Sequence, residues 1–377
     1  MRTYFAATSP GFETICLNEL LSLPLSGKEV RAVSGGVEFR GRLKDCYLAN
    51  LNLRTANRIL MRIQTFKATN FNQFEKKLLD IPWQLYLRAD QHPKVQVTTR
   101  HCRLYHSEAI SERTLTGIIG CMAEKDFMED GGDMSSVRQN VYVRGMGDRF
   151  TMSIDSSGDS LYKRGIKKHP GTAPLRETAA AAALMLAGYS GSQPLIDPMC
   201  GTGTFALEAA LMAKNIPAGW FRDFAFMHWP SFQPKRWAYL KRQSEKHFFN
   251  LKKPQIWASD IDSSACSRLA ARITNFNLHD AISVMNTNFF DLIPTALTGR
   301  TGIIAINPPY GRRIGSKRES EQLFKEICHR LNQHYKGWTL ALILPHQKLV
   351  KYIPFQLAGY PLSHGGLHLN LMVGRIA

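Results

Sequence analysis

From residue 194 onward, short apolar runs alternate with longer helical stretches, and this rhythm leaves few folds open. Residues 194–197, 256–259, 281–285, 301–306 and 338–344 are apolar or β-rich on consecutive positions, as strands covered on both faces must be. Residues 205–214 and 263–276 carry the helices between them. Strands alternating with helices predict an α/β fold, a doubly wound, mainly parallel sheet.

The first half has another style. Residues 3–7, 36–40, 59–66, 95–98, 140–144 and 149–154 read as strands, and 11–23, 43–53, 71–79 and 110–127 as helices. This is an α+β arrangement, and no cluster of residues in it looks catalytic. Residues 155–171, DSSGDSLYKRGIKKHPG, form a polar, basic, Gly-containing link taken as a domain boundary. Residues 215–253 interrupt the second half as an aromatic and basic insertion, with Trp220, Phe221, Trp229, Lys235, Arg236 and Trp237.

Over 377 residues, 48 Lys and Arg against 30 Asp and Glu leave a formal charge of +18. That surplus favours encounter with a polyanion. The seven cysteines are odd in number and scattered, so neither a disulfide framework nor a zinc site is indicated. The N-terminus lacks a signal-peptide core, and the longest small-apolar run, residues 179–187, is far short of the ~20 residues that span a bilayer. The expectation is a cytoplasmic protein with no metal and no membrane partner.

Chemistry gathers at three places. Asp197-Pro198-Met199-Cys200-Gly201-Thr202-Gly203-Thr204 joins a strand to a helix. Its glycines allow backbone to approach a ligand, and the helix start offers free N–H groups. The loop lacks both GxGxxG and a P-loop lysine, which argues against pyrophosphate and ATP. Asp260, at the end of the next strand, can accept hydrogen bonds from both hydroxyls of a ribose, or else cap the following helix with Asp262. The third place is Asn307-Pro308-Pro309-Tyr310, after the strand at 301–306. The Asn307 side-chain oxygen and the Pro308 carbonyl can accept the two hydrogens of an exocyclic amine, aiming the nitrogen lone pair at an electrophile. Tyr310 can stack on the ring that bears the amine. Positioning and electrostatics then suffice for in-line methyl transfer, with no metal and no covalent intermediate.

Together with the segments at 155–165 and 173–178, the Glu208-Ala209-Ala210 follow-on and Asn307-Pro308-Pro309-Tyr310-Gly311, these motifs resemble the bacterial THUMP-domain RNA guanine-N2 methyltransferases of the RlmL-like group, which act on 23S ribosomal RNA. The likeness covers essentially the whole chain. It implies a ferredoxin-like piece over residues 1–55, a THUMP RNA-binding domain over 56–156, and a Rossmann-like, S-adenosylmethionine-dependent methyltransferase domain over 163–377. It also implies cofactor contacts from Asp197, Pro198, Cys200, Gly201, Gly203, Thr204, Asp260, Ile261, Asn288, Phe289, Leu175 and Glu177. Asn288 stands where the family commonly has an acid facing the adenine amine.

A guanine N2 is out of reach in a stacked duplex, so the base must be unpaired or flipped. Lys163, Arg164, Lys167 and Lys168 before the Gly loop, and Arg312 and Arg313 after NPPY, are placed to hold flanking phosphates. The rival readings are a transfer-RNA guanine-N2 methyltransferase, a DNA adenine-N6 or protein-glutamine methyltransferase, and an RNA-binding assembly module without activity.

Overall fold

The computed structural model describes residues 1–27, 29–88, 91–123, 138–167, 175–309, 317–364 and 367–377. Two sheets of seven strands organise them. The first comprises β1 (Arg2–Thr8), β2 (Val30–Val33), β3 (Gly36–Gly41), β4 (Ala56–Lys67), β5 (His92–Arg100), β6 (Arg138–Met146) and β7 (Arg149–Asp155), in the order β2-β3-β1-β4-β7-β6-β5. The twelve-residue β4 pairs with β1 along its first part and with β7 along its second. The boundary expected between residues 55 and 56 therefore falls at the start of a strand shared by both N-terminal pieces. Helices Glu13–Ser22, Leu43–Asn52, Phe71–Leu79 and Ser107–Ala123 send Cys16, Leu20, Tyr47, Phe74 and Ile110 into one core with the inward residues of the strands.

The second sheet comprises β8 (Leu195–Asp197), β9 (Ile256–Asp260), β10 (Ile282–Asn286), β11 (Ile303–Ile306), β12 (Thr339–Leu344), β13 (Ala358–His364) and β14 (Leu367–Arg375), ordered β10-β9-β8-β11-β12-β14-β13. It is parallel from β10 to β12, and β14 runs antiparallel to both of its neighbours. The α/β doubly wound, Rossmann-like architecture expected from the alternation is present. From β8 the chain steps outward through β9 and β10, then returns to lay β11 on the other side of β8. Such a switch point opens a crevice at the carboxyl ends of the strands.

The halves are not beads on a string. Asp155, Ser156 and Ser157, the start of the polar link, are fully buried. Asp155 is ion-paired with Arg58, while the Ser156 hydroxyl donates to the Ile59 carbonyl and the Ser157 hydroxyl donates to Asn50 Oδ1. The insertion folds back on the first half: Phe224, Phe226, Trp229 and Trp237 join its core, and Phe226 stacks on Tyr47 at 4.5 Å between ring centroids. None of the described helices is long and apolar enough to cross a membrane.

Candidate active site

At the switch point a cleft of about 680 Å³ opens between the Gly loop, the ends of β9 and β10, and Asn307. The loop after β8 is held by backbone bonds: Cys200 N–H donates to the Ser259 carbonyl at 2.9 Å and Gly203 N–H to the Cys200 carbonyl at 2.7 Å. Gly203 has φ +77°, and a Cβ there would collide with Leu269. Helix Thr204–Ala213 starts on the next residue. The Asp260 carboxylate ties this loop to the turn after β9. One oxygen accepts from Gly201 N–H at 2.7 Å and the other from Asp262 N–H at 3.0 Å. Asp262 caps helix Ser263–Asn275 by accepting from Ser264 N–H. Of the two acids Asp262 caps the helix, and both line the cleft.

Two buried acceptors in the cleft wall lack partners among the described residues, Asp197 Oδ1 and Asn307 Oδ1. The other Asp197 oxygen accepts from Ala206 N–H at 3.2 Å. Burial first, and the nearby Asp260 charge second, push the Asp197 carboxyl up to about 8, against the pull of the Ala206 N–H and Lys167. An unpaired buried acceptor costs about 1–3 kcal/mol. A cleft with two of them suits a ligand rich in N–H donors or positive charge, and a nucleoside sulfonium that carries an ammonium group answers that description.

Of the expected cofactor residues, Leu175, Asp197, Pro198, Cys200, Gly201, Thr204, Asp260, Ile261, Asn288 and Phe289 line the cleft, together with Asn307 and Pro309. Gly203 packs against Leu269 and Pro308 is buried, and neither lines the cleft. Asn288 Oδ1 accepts from Phe290 N–H at 3.1 Å, so that oxygen caps a turn. Glu177 lies outside the lining: it pairs at 2.9 Å with Lys167, which also donates to the Thr204 hydroxyl at 2.7 Å.

That pairing corrects one expectation, since the Lys167 side chain is only 8% exposed and braces the cleft from behind. Arg164 is a second correction. Its guanidinium, 2% exposed, forks onto Glu208 at 2.9 and 3.2 Å and donates to the Arg54 carbonyl at 2.6 Å. Neither can reach a phosphate. Lys163 alone of the described trio stands at the surface, paired with Asp159 at 3.0 Å. Tyr310, Lys168, Arg312 and Arg313 lie outside the described residues. The sequence reading missed Phe205, Arg268, Phe290 and Leu323 in the lining. Arg268 was within reach of helical spacing, three residues past Ala265, which also lines the cleft, whereas Leu323 reaches it through tertiary packing alone.

A family model described as the RMKL-like methyltransferase domain matches residues 164–356, and one described as the RlmL ferredoxin-like domain matches residues 3–60. The chain belongs to the RMKL-like methyltransferase family. Membership makes it a methyltransferase by family and S-adenosylmethionine the implied methyl donor. It is 31% identical to a Synechocystis sp. protein named "Putative RNA methyltransferase slr0064", over 98% of this chain and 96% of that protein. It is 30% identical to the ribosomal RNA large subunit methyltransferase K/L of Methylococcus capsulatus, over 100% of this chain and 51% of that relative, so the chain spans about half the K/L protein's length. A solved structure described as a "predicted N6-adenine-specific DNA methylase" from Listeria monocytogenes superposes with a TM-score of 0.86 at 26% identity, over 99% of this chain and 95% of that one.

Proposed function

We propose that this protein transfers a methyl group from S-adenosylmethionine to the exocyclic N2 of a guanine in RNA, in 23S ribosomal RNA. The observation that carries the chemistry is Asn307 Oδ1, buried in the cleft wall and without a donor among the described residues. The relatives named as RNA methyltransferases support RNA as the substrate, as does the +18 charge.

Bound in the cleft, S-adenosylmethionine supplies an electrophilic methyl on its sulfonium. Asp260 would accept hydrogen bonds from the ribose hydroxyls with the lone pairs its two backbone contacts leave free. Ile261, which is 74% exposed, and Phe289 line the cleft and would offer apolar walls to the adenine. Asp197 would face the ligand's positive end, where a nearby cation favours release of the proton that the carboxyl holds in the cofactor-free protein. Asn307 Oδ1 would accept one amine hydrogen of the guanine and the Pro308 carbonyl the other, turning the nitrogen lone pair toward the methyl donor; as the N–C bond forms the C–S bond breaks, and the methylated amine gives up one proton to solvent. Tyr310 stacks on the base. Fixing the reacting atoms in this way is a large part of what such a site contributes. Lys163, Lys168, Arg312 and Arg313 hold the flanking phosphates. Residues 1–55 and 56–156, as ferredoxin-like and THUMP pieces, grip RNA, and 163–377 form the catalytic domain.

The test is to incubate purified protein and labelled cofactor separately with unmodified 23S ribosomal RNA, transfer RNA and duplex DNA, then digest each to nucleosides. Label in N2-methylguanine from 23S RNA is the expected result. Label only in transfer RNA would keep the mechanism and change the substrate. Label in N6-methyladenine, the product that the Listeria structure's description suggests, would overturn the reading.

A further inference from the structure

On the face of the first sheet turned away from its helices, the strand registers lay arginines side by side. Arg40, Thr3, Arg62, Ser153 and Tyr142 form one row across β3, β1, β4, β7 and β6. Arg31 adjoins the row from β2, paired across the sheet with Glu38. Arg144 adjoins it from β6, two residues beyond Tyr142 on the same face. Between β2 and β4 this face sinks into a hollow of about 700 Å³, lined by Arg31, Arg40, Arg62, Glu38 and Thr65 among others.

The charges in the hollow do not balance. Glu38, whose side chain is 9% exposed, is shared between Arg31 and Arg62. Arg40 has the exposed Glu29 at 3.2 Å. Arg62 lies over the Phe5 ring at 5.1 Å, and burial together with the charges of Arg144 and Arg31 pulls its guanidinium below the ordinary arginine range. Guanidinium groups crowded round one shared carboxylate gain from a further anion. The arginine fork fits phosphate oxygens two at a time.

The span of the row selects among anions. Four strand spacings separate β3 from β6, roughly 19 Å at the usual separation of neighbouring strands. A single inorganic ion bridges none of that, whereas successive phosphates of a nucleic-acid strand do. We propose that this arginine-lined face is a second RNA contact, which seats backbone phosphates of the substrate on the opposite sheet from the methyl-transfer cleft. The proposal rests on the reading that the substrate is RNA.

Arg40 and Arg144 are both exposed and neither lines the cleft, so the full-length double variant Arg40→Glu/Arg144→Glu is the test. Its binding to unmodified, transcribed 23S ribosomal RNA is followed by anisotropy over a salt series. Losing two phosphate contacts should reduce the slope of log K against log salt by about 1.4–1.8 and weaken binding about tenfold or more at moderate salt. KM for the RNA should rise to match, while kcat at saturating RNA and cofactor affinity stay as in the wild type. The charge-preserving Arg40→Lys/Arg144→Lys pair should retain the wild-type slope, and a lysine pair as impaired as the glutamate pair would overturn the proposal. A glutamate pair with unchanged slope and KM, beside a wild type that methylates RNA, would overturn this face alone. A wild type that neither binds nor methylates RNA would bring down the substrate reading first.

Discussion

Asn307 and Asp197 each bury an oxygen with no donor among the described residues, and the two serve different ends. Asn307 is neutral, so it can hold an amine without taking its proton. Asn307→Ala should leave cofactor affinity intact and lower the methylation rate by about 10²-fold or more, the scale seen when a preorganised polar contact is removed. Single-turnover assays beside calorimetric titration separate the two effects, and near-normal turnover would eliminate the amine-gripping role. Asp197 is a carboxyl whose folded-state value, about 8, stands far above its ordinary 3.8. The folded protein therefore keeps a proton that the unfolded chain gives up. Its contribution to stability is full below the unfolded value and is lost as pH rises through the folded one. Asp197→Asn, neutral at every pH, should flatten the decline in Tm of the cofactor-free protein between about pH 5 and 8; a variant with the wild-type slope would place the titration elsewhere. Both residues were legible in the sequence because each sits at a strand end beside Gly or Pro, where a polar side chain has few structural duties. Arg164 and Lys167 misled for the opposite reason. A buried cation is known only by its partner, and Glu208 lies 44 residues away from Arg164.

The helix that begins at the Gly loop is positioned from both ends. At its start, Gly203 adopts φ +77° against Leu269, while Gly201, at φ +50°, would send a Cβ into open space. Gly203→Ala should therefore meet both left-handed strain and a clash. Gly201→Ala should incur only the strain, about 1–2 kcal/mol. Calorimetry of cofactor binding should show the larger loss for Gly203→Ala, and equal losses would mean that the clash is relieved at no cost. One turn further on, Glu208 is 1% exposed and receives Arg164, with Arg54 approaching at 4.0 Å. Arg54 also donates to the Ile216 carbonyl at 2.6 Å. Glu208→Gln leaves buried guanidinium groups without their counter-charge, a change that costs about 3–5 kcal/mol when one partner of a buried pair is lost. A urea midpoint within error of the wild type would show that the network carries no such weight. Most of the second sheet could be read from its alternating apolar runs. The strands beyond residue 344, β13 and β14, are less legible, although LHLNLMV alternates as a strand should. Pro361 in β13 blurs that signal, and the pattern of a sheet edge differs from the buried strands before it.

Taken whole, the molecule packs aromatic residues of its second half into the core of the first, so recognition on one sheet, as proposed, would be tied to chemistry on the other. The sequence shows the split through the change of style after residue 155, and it hides the join, because aromatic residues in an insertion look the same whether they meet solvent, substrate or another domain. Phe224, Phe226, Trp229 and Trp237 follow the Gly-loop helix in the chain but belong to the N-terminal core, with Trp229 Nε1–H donating to Gln139 Oε1 at 3.1 Å. Rigid attachment of this kind would keep an RNA held on the first sheet at a fixed offset from Asn307. It also predicts that the catalytic half does not survive alone. A fragment of residues 160–377 would expose that aromatic cluster, a patch large enough to drive association or dye binding. The fragment should aggregate or bind a hydrophobic dye, with tryptophan emission shifted to the red of the full chain. A monomeric fragment with native emission and full cofactor affinity would show that the insertion clasps the N-terminal core without depending on it.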